Sequence, residues 1–289
     1  MARFTCTVAV PHVDTPHLLR CCLHNILYYS HPDIDVDVIV IDQSQPAIKA
    51  AVKAEFDGKS DANGRTPIKV IDAPRLDAGY PLDVAVKEAT GEFFCSLDCD
   101  CWPITPSWLA IPIEQVHRYN LSFAGCDCDL HKAYPHLGPT PVINNFFRVS
   151  RTDLAHEASD RVGFMRPQHR HAAGMPSEFP WPTQWHDNGV AANWYVANKY
   201  PEKKPLGIPV TRHLGNAHDR ADCCVYGIIV GELVFHLGYG FHPDTVGDAV
   251  KQLGQKFLDL HESFTHQENL VAYARELAER STKYAFVGW

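Results

Sequence analysis

The sequence predicts an α/β fold: a mostly parallel, Rossmann-like sheet, an irregular second half and C-terminal helices. Three observations carry this. Short β-rich runs alternate with helical stripes through the first hundred residues, which implies parallel strands joined by right-handed crossovers. The run VDVIVI, Val36 to Ile41, is almost continuously β-branched, as in a strand covered on both faces. The runs also end in polar residues, Pro11-His12, Asp42, Asp72 and Asp98-Cys99-Asp100. In open α/β sheets, ligands bind outside the carboxyl ends of the strands.

Taken in order, Phe4 to Val10 is a β-rich run stopped by Pro11. Asp14-Thr15-Pro16 then reads as an N-cap followed by proline in the first helical turn. Leu19, Cys22, Leu23, Ile26 and Leu27 share the apolar face of that helix. Pro46 opens the helix after the second strand, and Ile68 to Ile71 is the third strand. Leu82, Ala85, Val86 and Ala89 form the next helical stripe, with Gly91 at the expected C-cap. Phe93 to Leu97 is the fourth strand. Beyond residue 120 the pattern loosens. Residues 121–125 and 142–149 read as strands, 163–188 as an irregular Pro-, His- and Trp-rich segment, and 227–237 as a late strand or strand pair. Val246, Val250, Leu253, Phe257 and Leu260 then mark a helix, followed by a charged helix to about residue 281. The division expected is 1–120, 121–243 and 244–289.

The chain has 289 residues and is 45% hydrophobic, enough to bury roughly 70–75% of its unfolded surface. Its net charge of −8 argues against nucleic-acid binding by counterion release, which uses a basic face. Ten cysteines occur singly, as neighbours or one residue apart, without a C-x-x-C pair. Such spacings make poor disulfides and point to small buried side chains in a reducing compartment. No apolar run is long enough to span a bilayer, and MARFTCTVAV lacks a signal-peptide cleavage site. A soluble cytoplasmic protein is expected.

The chemistry centres on FFCSLDCDCWPI, Phe93 to Ile104. Asp-x-Asp also occurs at Asp33/Asp35, Asp35/Asp37 and Asp127/Asp129, so position must decide. Asp98/Asp100 directly follows a buried strand and is braced by Trp102-Pro103. The 33–37 acids precede a strand and belong at the opposite edge, whereas Asp127/Asp129 remains a rival. Carboxylates plus phosphate oxygens are the usual ligands of Mg²⁺ or Mn²⁺. A structural zinc would need about four Cys or His ligands, for which Cys99, Cys101, Cys126 and Cys128 are the candidates.

VAVPHVDTPHLLRCCLHNIL, VDVIVIDQSQ and GEFFCSLDCDCWPITPSWL resemble nucleotide-diphospho-sugar glycosyltransferases of the GT-A fold, closest to the family-two type. The resemblance covers about residues 4–110. It departs at Pro11-His12-Val13-Asp14, where Pro-x-Tyr-Asn is common, and at Leu82-Asp83, where Arg-Asn is frequent. The resemblance implies that Asp42 contacts the base or ribose of the donor, that Asp98 lies near the ribose, and that Asp100 ligates the cation on the diphosphate. Pro11, His12 and Asp72 complete the donor edge, and Arg75 is placed for a forked phosphate contact. In VFHLGYG, His236 matches a histidine that the family often supplies near the metal or diphosphate; its other reading is a structural histidine at a strand end. In QWHDNGVAANWYV, Asp187 matches the acidic general base of inverting members; its other reading is a helix N-cap. Trp185 and His186 are the acceptor-binding candidates, with Trp181 and Trp194 nearby. His213 and His218 are further candidates without a role.

The expected function is metal-dependent transfer of a sugar from a nucleoside-diphosphate donor, a UDP-sugar in preference, to an acceptor hydroxyl. Asp187 would act as base, with inversion. A glycan or small molecule is the expected acceptor, with a modified DNA base as a less favoured one. Two other classes compete: a nucleotidyltransferase, disfavoured by the absence of glycine in PHVDTPHLL, and a non-catalytic zinc-stabilised binding protein.

Overall fold

A computed structural model describes residues 4–60, 66–127, 134–137, 142–213 and 228–236. The expected C-terminal helices lie outside these residues. The main sheet is built from β1 (Phe4–His12), β2 (Ile34–Asp42), β3 (Ile68–Asp72), β4 (Phe93–Leu97), β6 (Phe123–Asp127), β7 (Ile143–Arg151) and β8 (Leu206–Ile208). Its order is β3-β2-β1-β4-β7-β6-β8. All neighbours are parallel except across β7, which is antiparallel to both β4 and β6.

Helices cover both faces. One core cluster packs α1 (Pro16–Tyr28), α2 (Pro46–Phe56) and α4 (Ala110–Tyr119) on the sheet. The other packs α3 (Tyr80–Glu88), α5 (Thr152–Arg161) and α7 (Val190–Lys199), with the short α6 (Pro167–Ala172) preceding α7. β4 shows why its sequence is a strand: Phe93, Cys95 and Leu97 enter one cluster while Phe94 enters the other. Two-sided burial explains a run without polar alternation. Every described cysteine is buried and outside any disulfide. Among the described residues no helix is long and apolar enough to cross a membrane.

A second sheet was not expected. β5 (Cys101–Pro103), β9 (Val210–His213), β10 (Ile228–Val230) and β11 (Val234–His236) pair antiparallel in the order β5-β11-β10-β9. β10 and β11 realise the expected late strand pair. Their turn places Gly231 (φ +58°) and Glu232 (φ +57°) in the left-handed region, the hairpin geometry whose twist suits the flanking strands. β5 continues directly from the Asp98–Asp100 turn, so this sheet carries the late strand back to the end of β4.

Two local expectations are corrected. Gly91 is not a left-handed cap; the C-cap of α3 is Ala89 in extended conformation. Gly91 is glycine because its backbone passes the first strand so closely that a Cβ would lie 2.6 Å from Thr7 N. Thr15 is the N-cap of α1 without a side-chain cap bond. The neighbouring Asp14 takes φ +49° and accepts the backbone N–H of Gln45 at 2.9 Å.

Buried carboxylates hold the irregular half. Asp83 on α3 accepts Ser159 Oγ (2.7 Å) and the N–H groups of Phe164 (2.9 Å) and Met165 (3.4 Å). Arg170 Nη1 lies 3.5 Å from its second oxygen. Burial raises this carboxyl above its ordinary range despite those bonds. Glu157 ties α5 to α7 by accepting from Tyr195 (2.7 Å), Tyr200 (2.7 Å) and Lys199. Desolvation opposes its charge, but the hydrogen bonds from Lys199, Tyr200 and Tyr195 prevail and hold its pKa down to about 2.

Asp83→Ala strands several buried donors, so it should lower stability by about 3 kcal/mol, read as a lower urea midpoint. Glu157→Gln should destabilise near neutrality. Because the folded pKa is depressed, that contribution is full above the unfolded value and fades as pH falls towards about 2. The gap between wild-type and variant urea midpoints should therefore narrow between neutral pH and pH 3; a constant gap would count against the charged network.

Candidate functional site

Among the described residues, the end of β4 gathers side chains that could hold a metal ion. One ligand atom each from Asp98, Asp100 and His236 lie within 4.8 Å of one another. The backbone explains this. Asp98 N–H donates to Phe146 O on β7 at 3.0 Å, and Cys101 N–H closes the turn onto Asp98 O at 2.9 Å. His236 on β11 sits opposite Cys101 on β5, which brings its Nε2 to 3.5 Å from Asp100 Oδ1. Its ring stacks on Phe146, with centroids 3.9 Å apart and planes 4° from parallel.

The electrostatics are strained. Burial, reinforced by the charge of Asp100, pushes the Asp98 carboxyl up to about 7; His236 works against this shift and Asp187 adds to it. Asp100 Oδ1 is buried without a hydrogen bond. Two carboxylates and an imidazole with a vacant buried oxygen are a donor set for a divalent cation. No cysteine belongs to it: Cys99 and Cys101 are buried in the apolar core, and burial lifts both thiols well above their ordinary range. Asp127 ends β6 outside this set, and Asp129, Cys128 and His218 lie outside the described residues.

Along the same edge, register places His12 opposite Asp42 and Asp42 opposite Asp72. His12 is buried. Thr15 N–H donates to its Nε2 at 3.2 Å, which puts the proton on Nδ1, 3.1 Å from Asp42 Oδ1. Both ring nitrogens of His12, expected at the donor, thus have protein partners. Asp42 Oδ1 also accepts Ser44 N–H at 2.9 Å. Burial opposes the charge of Asp42, yet bonds from His12 and Ser44 keep its carboxyl below the usual range. Its Oδ2 is buried with no hydrogen-bond partner. Pro11 is half-buried and Asp72 exposed. Arg75 donates to Asp14 Oδ2 at 2.8 Å, so its guanidinium is engaged on the protein.

The third part is the segment before α7. Asp187 is not the N-cap of that helix; Gly189 is, with φ 73°, and a Cβ there would collide with the Asn145 amide at 2.3 Å. Asp187 N–H donates to Tyr134 Oη at 3.0 Å, Asp187 Oδ1 accepts Asn188 N–H at 2.8 Å, and Arg166 Nε lies 3.6 Å from that oxygen. Its charge adds, as the smallest contribution, to the upward shift of the Asp98 carboxyl. Trp185 is 67% exposed, with its ring 6.4 Å from that of Tyr134. His186, expected at the acceptor, is fully buried, with His136 Nε2 at 2.9 Å and Gln184 O at 3.1 Å. It supports the wall behind Trp185, beside Phe179 and Tyr134. Trp181 and Trp194 belong to the same half-buried aromatic cluster, and His213 ends β9.

Sequence reasoning missed Arg166, Tyr134, Phe146 and Gln168, each of which touches a candidate residue. None stands in a motif. Only the density of aromatic and basic residues in 163–188 marked that segment.

Several solved structures are similar. A Pyrobaculum calidifontis mannosyltransferase in complex with GDP-Man and Mn²⁺ is 16% identical, covering 99% of this chain and 77% of that one with TM-score 0.51. At such identity the likeness speaks for the fold alone. A Mycobacterium tuberculosis glucosyl-3-phosphoglycerate synthase with Mn²⁺, UDP and phosphoglyceric acid is 11% identical over 71% of this chain and 68% of that one, at TM-score 0.48. S. aureus TarS 1–349 with UDP-GlcNAc is 12% identical over 96% and 71%, at 0.47. Both are too loose to carry an argument. No curated protein matches the chain significantly. The profile of glycosyl transferase family 2 matches residues 7–173, more than half the chain, including Asp42, Asp98 and Asp100 on the strand ends described above. The chain belongs to glycosyl transferase family 2, and its sheet is that of a GT-A glycosyltransferase.

Proposed function

We propose that the enzyme transfers a sugar from a nucleoside-diphosphate donor, a UDP-sugar first among them, to an acceptor hydroxyl with inversion at the anomeric carbon. The observation that carries this reading is the convergence of Asp98, Asp100 and His236 at the carboxyl end of the sheet, beside the vacant Oδ2 of Asp42. Residues 1–120 would hold the donor, and 121–243 the acceptor.

The bond that breaks joins the anomeric carbon to a phosphate oxygen. Positive charge grows on the sugar ring, as in glycoside hydrolysis, and negative charge on the departing diphosphate. Asp100 and His236 would hold Mn²⁺ or Mg²⁺, with Asp98 between them and the ribose; the cation would neutralise the leaving group. The mannosyltransferase of similar fold carries Mn²⁺ with its sugar nucleotide, which supports this assignment. Asp42 Oδ2 would accept an N–H or O–H of the nucleoside, a role that His12 prepares by occupying the other oxygen. Pro11 and Asp72 would border the nucleoside, and Arg75 would reach a phosphate only on leaving Asp14.

On the opposite face, Asp187 would take the acceptor's proton as the hydroxyl attacks. Its carboxylate is a third exposed, and its backbone is pinned by Tyr134, which suits a fixed base with an open approach. The exposed ring of Trp185, two residues earlier, offers a face for a sugar acceptor. A glycan or small molecule fits this surface; no observation favours a DNA base or a nucleotidyltransferase.

Screening nucleoside diphosphates by thermal shift should show stabilisation by UDP or a close analogue only with Mn²⁺ present, and Asp100→Asn should abolish it. Indifference of the wild type to every nucleotide would remove the proposal. Asp187→Asn should lower kcat by about 10²–10⁴ while leaving the UDP-dependent shift in place; an unchanged kcat would take the base role from Asp187.

A further inference from the structure

We propose that Arg166 is an anion-recognising residue of the acceptor site, and that the acceptor therefore carries a phosphate or carboxylate near the hydroxyl that attacks. This rests on the reading of Asp187 as the group facing the acceptor.

The backbone under Arg166 is clamped from two sides. Asp77, whose side chain is only 1% exposed, accepts the N–H of Gly79 at 2.8 Å and of Arg166 at 3.2 Å, and holds His169 Nδ1 at 2.5 Å. On the other side, the Gln168 amide takes both backbone groups of His186, each at 3.2 Å. Residues 166–169 are thus fixed to the segment that carries Asp187. Rigid mounting of this kind precedes tight recognition, because little ordering remains for the ligand to impose.

The guanidinium on that mount is loosely held, in an ion pair without a hydrogen bond at Nε. Arg166 Nε is buried without a hydrogen-bond partner. It lies 3.6 Å from Asp187 Oδ1, whereas a forked arginine–carboxylate pair closes to about 2.7–2.9 Å. Asp187 Oδ1 is instead bonded to Asn188 N–H at 2.8 Å. Neighbouring arginines are placed differently: Arg161 donates to Glu178 at 2.9 Å, and Arg170 Nε to Pro176 O at 2.8 Å. A desolvated donor without an acceptor is uncommon in folded proteins, and a planar fork is suited to carboxylate or phosphate. Arg166 and Asp187 are each a third exposed, so an acceptor presenting its hydroxyl to Asp187 would bring a neighbouring anionic group to Arg166. With Trp185 alongside, the class that fits is a sugar or polyol bearing a phosphate or carboxylate.

The test uses inorganic phosphate and acetate as probes, titrated calorimetrically in EDTA against the wild type, Arg166→Gln, Arg166→Lys and Asp100→Asn. Saturable binding of at least one anion is expected, unchanged by Asp100→Asn and weakened at least tenfold by Arg166→Gln. Arg166→Lys, which keeps the charge but loses the fork, should fall between. Preference for phosphate or for acetate identifies the group. The backbone N–H, not the side chain, bonds Asp77, so both variants should keep wild-type melting curves and the UDP–Mn²⁺ stabilisation. Absence of binding by both anions, binding that follows Asp100 instead of Arg166, or loss of UDP stabilisation in Arg166→Gln would each overturn the assignment. Failure of the sugar-transfer reading itself would show separately, as a wild type that responds to no nucleotide.

Discussion

The confinement of two carboxylates in one partly buried turn is the constraint around which this molecule is arranged. Asp98 and Asp100 cannot both be comfortably charged there, as the shift of Asp98 to about 7 shows. The fold nonetheless holds them together through several independent elements. The all-apolar β4 anchors one end of the turn, and β7 takes the Asp98 N–H. Trp102 fixes the other end, with its indole donating to Cys99 O at 3.3 Å and its ring 5.4 Å from Phe235. The β5–β11 pairing then delivers His236. Two carboxylates whose repulsion His236 offsets only in part are intelligible if a cation completes the set.

The sequence was most informative where burial is two-sided. The first four strands and their helices appear at the expected places because VDVIVI and FFCSL leave no alternative to an interior strand, and proline marks the helix starts. It was least informative where non-local pairing decides. Nothing in CWP or VFH announces that these triplets pair, yet that pairing joins His236 to Asp100. The antiparallel insertion of β7 is equally silent, and so is its Arg148. That side chain lies between the rings of Phe123 and Phe164, at 4.9 and 4.6 Å, where burial lowers its pKa to about 9. An arginine in a strand otherwise reads as an outward-facing position. His12, Arg75 and His186 show the complementary limit. Each residue type suits ligand contact, but only the three-dimensional hydrogen-bond network reveals that its polar atoms already have protein partners.

That distinction separates two kinds of aspartate. Asp77 and Asp83 are buried and have oxygens taken by backbone N–H groups, hydroxyls or imidazole. They fix loops, and α3 carries Asp83 as a staple where the family often has another pair. Asp42 and Asp100 are buried just as deeply, yet one oxygen of each accepts no hydrogen bond, that of Asp100 lying 3.5 Å from His236 Nε2. An unmet buried acceptor is destabilising by about 1–3 kcal/mol, so a fold that retains two of them on one sheet edge has a use for the vacancies. In Asp42 the arrangement is pointed: His12 and Ser44 saturate one oxygen and leave the other. A histidine that merely filled space would not orient the carboxylate in this way. The stapled acids provide the rigidity, and the vacant ones the recognition. Arg166 extends the same logic to a cation, with its backbone held by a saturated acid and its guanidinium Nε making no hydrogen bond.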